Sequence, residues 1–235
     1  MLAQAIQTSA TRPDFTSLTL CRGLDRRATS QVATQASLQR LQAGQQLFGE
    51  GEPADGIYEV ATGIVRLYKL LPDGRRQIIG FLSAGHLLGL AHRENYVHTA
   101  EAVTMVTLHR YSRAGFDRLL DEVPGLARRL LSATSDELRA AQDQMLLLGR
   151  KSATEKIASF LLAMASLHSA RAGTDEVYIP MSRSDIADYL GLTVETVSRS
   201  LAKLKQDEVI GLPTPNRIAL TDRARLEELA AGECV

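Results

Sequence analysis

Cysteine is nearly absent: there are two in 235 residues, Cys21 and Cys234, close to opposite ends. They make no metal-ligand spacing and no disulfide framework, and free thiols in a reducing cytoplasm are expected. Net charge of either sign is absent too, since 27 Lys and Arg balance 27 Asp and Glu. A nucleic-acid binder without sequence preference carries a basic footprint, so the balance argues against that class and requires any positive patch to be local. Long apolar runs are missing. The longest, Ile157 to Leu167, falls short of the roughly 20 residues a membrane-spanning helix needs and reads as a buried helix. The opening MLAQAIQTSATRPDF has no basic stretch leading into an apolar one, so no signal peptide is expected.

There is no internal repeat, low-complexity tract, P-loop, G-x-G-x-x-G or Ser/His/Asp set in plausible local context. An enzyme is therefore not expected, and no catalytic residue, metal site or cofactor is assigned. A cupin-like metalloenzyme would want two histidines and a carboxylate converging, and the histidine spacing does not follow that pattern. The acidic Glu50, Glu52 and Asp55 read as a polar hairpin.

What is present is an apolar fraction of 45%, enough for real cores in one large or two small domains. The most informative stretch is SDIADYLGLTVETVSRSLAKL, residues 184–204. Ile186, Ala187, Tyr189 and Leu190 supply the apolar face of a first short helix. Gly191 ends it with a left-handed cap, Leu192 plugs the corner, and Thr193 caps a second helix. In the second helix Val197, Leu201 and Leu204 recur at i, i+4 and i+7 and face inward. Val194, Glu195, Ser198, Arg199 and Lys203 occupy the opposite face, with Thr196 in the first turn. The pattern is a helix-turn-helix offering side chains suited to base edges in a major groove.

Residues 1–28 are polar and read as a mobile tail. From Val32 to Arg113 short alternating runs and glycine turns predict a β-barrel or sandwich. Tyr58–Val60 and Ile64–Tyr68 flank the Ala61-Thr62-Gly63 turn, Pro72-Asp73-Gly74 marks a hairpin between Leu70 and Ile78, and Thr99 to His109 alternates again. Arg113 to Leu120 predicts a short helix, and Pro124 the start of a long one. Within the long helix Leu131, Leu138 and Met145 repeat every seven residues beside a second seam of Ala127, Thr134, Ala141 and Leu148, which predicts a coiled-coil dimer. Gly149 to Ser152 reads as a hinge between domains. After it come the helix at 157–167, a polar loop over 168–176, a strand at Val177–Ile179, the helix-turn-helix, a β-hairpin wing around residues 211–216 with Arg217 placed to touch a phosphate, and a last amphipathic helix from Thr221.

The string GLTVETVSR resembles the recognition helix of the Crp/Fnr family of bacterial transcription regulators, and its Glu195-x-x-Ser198-Arg199 arrangement that of the Fnr and FixK branches. The β-region resembles the cyclic-nucleotide-binding-type barrel of the same family at Gly44, Phe48, Gly51-Glu52, Ala54, Tyr58, Val60, Gly63 and the Gly85-x-x-x-Gly89 loop. QDQMLLLGRKSATEK is similar to the Fnr branch. The resemblance implies an α+β protein with a double-stranded β-helix barrel at 29–113, a dimerisation helix and hinge at 114–150, and a winged helix-turn-helix at 151–235. It implies double-stranded DNA, a second copy of the chain and RNA polymerase as partners, no membrane, and a cytoplasmic location.

The family's effectors do not match. In the cyclic-nucleotide branch a Glu follows the first glycine of the G-x-x-x-G loop and an Arg-Ser pair holds the phosphate downstream. Here His86 and Tyr96-Val97 stand in those places, with Arg93 as a nearby substitute cation. Four thiolates for an iron–sulfur cluster are lacking. His86, His92, His98 and His109 are haem ligands by identity only. The pattern left is that of FixK-type members, which work without a bound effector and by resemblance switch on genes for low-oxygen respiration or nitrogen fixation, at an inverted TTGA-N6-TCAA-like site. The alternatives from the same resemblance are a cyclic-nucleotide- or haem-responsive regulator.

Overall fold

The computed structural model describes residues 19–90, 94–168 and 176–232. The chain runs through α1 (Arg26–Gln35), eight strands, two helices that lead out of them, and then a second α+β unit. The strands are β1 (Ala36–Leu41), β2 (Gln46–Phe48), β3 (Gly56–Thr62), β4 (Val65–Leu70), β5 (Arg76–Leu82), β6 (Leu87–Leu88), β7 (Thr99–Ala102) and β8 (Val106–Ser112). They form two four-stranded sheets, β1-β8-β3-β6 and β2-β7-β4-β5, in which every pairing is antiparallel.

The two sheets face each other across a core of alternating residues, among them Phe48, Val60, Val65, Ala100, Val106 and Leu108. Phe48 and Tyr96 stack with ring centroids 3.7 Å apart. The buried Tyr96 hydroxyl donates to the Gly56 carbonyl at 2.9 Å, which satisfies the one polar atom this ring carries into the core. The β4–β5 hairpin turns at Pro72-Asp73-Gly74, pairing Leu70 with Arg76. The turn at Gly63 does something different from a hairpin. β3 and β4 lie in different sheets, so this turn carries the chain from one sheet to the other. Gly63 sits at φ +88°, and a Cβ there would stand 2.4 Å from the Met105 carbonyl oxygen, so only glycine fits.

Of the polar tail expected over residues 1–28, residues 1–18 lie outside the described residues, and residues 19–28 are packed against the fold. Leu20 and Cys21 are buried at 1% and 3% exposure. Asp25 caps α1 by accepting from Ala28 N at 2.8 Å. Ala28 and Val32 then join Ile57, Tyr111, Phe116 and Leu119 in a second core on the outer face of the first sheet. The apolar residues in this stretch are few and widely spaced, so composition alone hid a helix whose stability comes from the sheet beneath it.

Helix α2 (Arg113–Glu122) is capped by Ser112, which accepts from Gly115 N at 3.1 Å. The long helix α3 (Leu126–Arg150) begins two residues after Pro124, because Gly125 intervenes at φ +87°, outside the helical region. It runs through Gly149, which was expected to open a hinge. The helical ladder still closes there, Lys151 N bonding to Leu147 O. Only Lys151 and Ser152 separate α3 from α4 (Ala153–His168). Lys151 is itself tied down, its Nζ donating to Ser159 Oγ and to the Ala230 carbonyl, each at 2.8 Å.

The second unit comprises α4, β9 (Glu176–Tyr178), α5 (Arg183–Leu190), α6 (Val194–Gln206), β10 (Ile210–Thr214), β11 (Arg217–Leu220) and α7 (Arg223–Ala231). Its sheet has the order β10-β11-β9. Ile157, Phe160, Leu161 and Met164 of α4 form the centre of its core, as expected for the longest apolar run. That core continues into the barrel. Ile78 and Phe81 of β5 belong to it, and Phe81 packs against Tyr189 and Phe160 at centroid distances of 5.2 and 6.4 Å. Among the described residues no helix is long and apolar enough to cross a membrane.

Candidate nucleic-acid interface

Helices α5 and α6 form the helix-turn-helix where the sequence places it. Ser182 caps α5 with a complete capping box: its hydroxyl accepts from Asp185 N, and the Asp185 carboxylate accepts from Ser182 N. Gly191 ends the helix at φ +62° and its N–H reaches the Ala187 carbonyl. Thr193 then caps α6, accepting from Thr196 N at 3.2 Å. Val197, Leu201 and Leu204 are 0%, 3% and 1% exposed. Each such side chain contributes roughly 1.5–3 kcal/mol by leaving water, so this face anchors α6 firmly and fixes which residues point outward.

The outward residues are Val194, Glu195, Ser198, Arg199 and Lys203, all exposed. The Glu195 carboxyl is held below the usual glutamate range, first by its own backbone N–H, then by the Thr193 hydroxyl, with a smaller pull from Arg199. Its charge therefore sits at the positive end of the helix dipole. Arg199 donates to Thr196 Oγ1 at 3.4 Å. Thr196 is accordingly half-buried and serves the cap and the arginine, a supporting place beside the outward face. Ser198 Oγ donates back to the Val194 carbonyl at 2.9 Å, which leaves its methylene and lone pairs outward. On the wing, Arg217 is exposed on β11 and pairs with Glu176 at 3.3 Å.

The stripe on α3 is open for most of its length. Leu131, Leu138 and Met145 are 68%, 60% and 71% exposed. Ala127, Thr134 and Ala141 are exposed beside them, and Leu146, which the heptad did not single out, is exposed as well. Leu148 departs from the second seam. It is half-buried against the core of the second unit, 3.5 Å from where a Cβ on Gly191 would stand, because α3 here passes over the helix-turn-helix corner.

A cleft of about 530 Å³ lies between β5, the turn at 84–87 and α3, with Tyr189 at one end. Besides Tyr189, His86, His98, Asp136 and Glu137 supply its titratable lining, and among the described residues lining it there is no lysine or arginine. Burial pushes the Glu137 carboxyl up, against a smaller downward pull from His86. His86 Nδ1 lies 3.0 Å from the Ser83 carbonyl. Tyr96, one of the residues standing where the family's phosphate ligands would be, is a core residue, and its neighbour Val97 is exposed. His109 is buried in the barrel wall away from the cleft lining, and burial pushes its imidazole down. Arg93 and His92 lie outside the described residues. The acidic trio is divided among separate partners: Glu50 pairs with Lys69, Asp55 with Arg110, and Glu52 accepts from Gly49 N.

Sequence reasoning missed the polar residues that seat α5. Asp185 is only 4% exposed and accepts from Arg66 and Arg76 of the barrel at 2.9 and 2.6 Å. The Ser182-x-x-Asp185 spacing carries a capping-box signal that went unread, and no local signal marks its second use, by arginines more than a hundred residues away.

The comparisons with known proteins agree with this geometry. Residues 38–123 match the cyclic nucleotide-binding domain, and residues 155–229 the Crp-like helix-turn-helix domain. The chain is 41% identical over 229 residues to the nitrogen fixation regulation protein FixK of Bradyrhizobium diazoefficiens, covering 97% of this chain and 92% of that protein. It is 46% identical over 187 residues to the transcriptional activatory protein AadR of Rhodopseudomonas palustris, covering 79% and 78%. The solved structure of FixK2 from Bradyrhizobium japonicum superposes with a TM-score of 0.76 at 41% identity, covering 83% of this chain and 96% of that one. With both halves matched and a relative this similar over nearly its whole length, the chain belongs to the Crp/Fnr family of DNA-binding transcription regulators and is not an enzyme.

Proposed function

We propose that this regulator is FixK-like: a cytoplasmic homodimer that reads an inverted TTGA-N6-TCAA-like site without a bound effector and activates genes of low-oxygen respiration or nitrogen fixation with RNA polymerase. The observation that carries the reading is the outward face of α6, where Glu195, Ser198 and Arg199 stand exposed over a buried, capped scaffold. Arg199 pairs with a guanine, Glu195 accepts from a cytosine on the opposite strand, and Ser198 and Val194 meet thymine methyls. Lys203 and Arg217 contact phosphates, which position the dimer without specifying the sequence. The open stripe of Leu131, Leu138 and Met145 suits a symmetric seam that sets two α6 helices one DNA turn apart. The cleft lining supports effector-free action, since a phosphodiester needs a cation and convergent donors, and Asp136 and Glu137 face it instead.

The test is competition binding of air-prepared protein, without added nucleotide, against duplexes with the guanine randomised. Arg199→Ala costs on the order of 1–3 kcal/mol per half-site and relaxes the preference for that guanine, with the fold intact. An unchanged preference removes the recognition assignment, and binding that appears only with a cyclic nucleotide or under anaerobic iron removes effector independence.

A further inference from the structure

Helix α5 is eight residues long and makes few helical hydrogen bonds of its own. Both of its ends are completed from the other half of the molecule. At the N-terminal end Asp185 Oδ1 accepts from Arg66 Nη1 at 2.9 Å and from Arg76 Nη2 at 2.6 Å, while its Oδ2 serves the capping box. Arg76 also pairs with Asp188 at 2.8 Å. Arg66 is held in place by Glu101 of β7 at 2.5 Å, and Glu101 accepts from Tyr68 as well.

At the C-terminal end two carbonyls that the helix cannot satisfy accept from neutral amides. Gln77 Nε2 of β5 donates to Asp188 O at 2.7 Å, and Gln144 Nε2 of α3 donates to Tyr189 O at 3.0 Å. The Asp185 side chain is 6% exposed, Arg66 17% and Arg76 23%. The bonds to Asp185 are charge-assisted and largely shielded from solvent, so they are directional and only weakly screened by salt. Beside them Phe81 and Tyr189 pack with tilted rings, centroids 5.2 Å apart.

The contacts touch α5 only on the side facing the barrel, and the reading face of α6 stays uncovered. Only a two-residue joint at Lys151–Ser152 separates the winged unit from α3, and the apolar packing of Phe81 and Leu148 against that unit is less directional than these bonds. We propose that Arg66, Arg76, Gln77 and Gln144 are positioning residues for DNA binding. They lock α5, and through the short turn at Gly191 also α6, at one angle on the β-domain, so that the two reading heads of a dimer stay in register with no ligand. This rests on the FixK-like dimeric reading above and supplies what that reading leaves open, namely what holds the heads ready when nothing occupies the cleft. Asp185 and Asp188 are the receiving groups.

The test measures anisotropy on labelled duplexes carrying the full inverted site, the same site with one base pair added to or removed from the spacer, and a single half-site. The variant is Arg66→Gln with Arg76→Gln. Loss of preorganisation lowers full-site affinity about tenfold or more, leaves half-site affinity within about twofold, and collapses the preference for one spacing. A merely destabilised protein would lose half-site binding in proportion. In that event Gln77→Ala with Gln144→Ala, which removes only neutral bonds, decides the matter through the same split between full and half site. Unchanged affinity and spacing preference overturn the proposal, and so does tighter binding by the variant, which would make the contacts a restraint. If the wild-type protein ignores the inverted site altogether, the functional reading fails. The seating is then judged by hydrogen exchange of the α5 amides, which must accelerate in the arginine variant; exchange equal to wild type overturns it.

Discussion

Two helices carry apolar stripes of helical period and meet opposite fates. On α6, Val197, Leu201 and Leu204 are 0–3% exposed, covered by α4, α5 and the small sheet. On α3, Leu131, Leu138 and Met145 are 60–71% exposed. Periodicity says that a helix has an apolar face, not what covers it. The difference lies in the neighbours: α6 is short and sits in a unit of packed elements, while α3 spans 25 residues and turns only one side toward the barrel, leaving Leu131, Leu138 and Met145 on the other. A stripe left open over three heptads is the form a partner helix would cover.

The sharpest way to break the contrast is to charge the open stripe. Leu138→Glu places two like charges at a symmetric seam and raises the dimer dissociation constant by about a thousandfold or more, roughly 4 kcal/mol. Sedimentation should find a folded monomer with lost operator binding; a variant that stays dimeric would show that this stripe is not the seam. Next in size is the covered stripe. Leu201→Ala leaves a cavity under α6 and costs about 3 kcal/mol in chemical unfolding of the winged unit, with the dimer unchanged at saturating protein. A loss below about 1 kcal/mol would mean that α6 is held by something other than its buried face.

The smallest effect sharpens the contrast between covered and open positions by using one residue type in two settings. Glu195 on the open face of α6 has its carboxyl held low, whereas Glu59, fully buried in β3, has it pushed up to about 7 by burial, against opposing bonds from Thr19 N and Leu20 N. Among the described residues Glu59 Oε2 and the nearby buried Tyr111 hydroxyl have no hydrogen-bond partner. A carboxyl raised in the fold binds its proton more tightly folded than unfolded. The stability it contributes is therefore complete below the ordinary value near 4.5 and is lost as pH rises toward about 7. Glu59→Gln removes this slope, so the variant gains on wild type between those limits by up to about 3 kcal/mol and by no more above them. Denaturant midpoints at stepped pH would measure it, and parallel curves would show that Glu59 does not titrate in that range.

Legibility followed the range of the interactions. The α5–turn–α6 unit was readable almost residue by residue, because Gly191, Thr193 and the spacing of Val197, Leu201 and Leu204 act within a few positions. The β4–β5 hairpin was readable from Pro72-Asp73-Gly74 for the same reason. The Gly63 turn was visible as a turn, but whether β3 and β4 would pair or part was not, since that depends on β8 and β7 taking the places alongside them. Helix α1 went unread because its burial depends on a sheet built by later residues.

By itself the sequence determined the family, the outward face of α6 with Glu195, Ser198 and Arg199, and the apolar stripe on α3, all of them set by local spacing and caps. Only the tertiary structure decided that Leu148 turns away from that stripe to the helix-turn-helix corner, and that Arg66 and Arg76 close on Asp185. Arg66 and Asp185 are 119 positions apart. A guanidinium and a carboxylate so distant carry no periodic signal, and their attraction becomes strong and directional only once folding has removed the water between them.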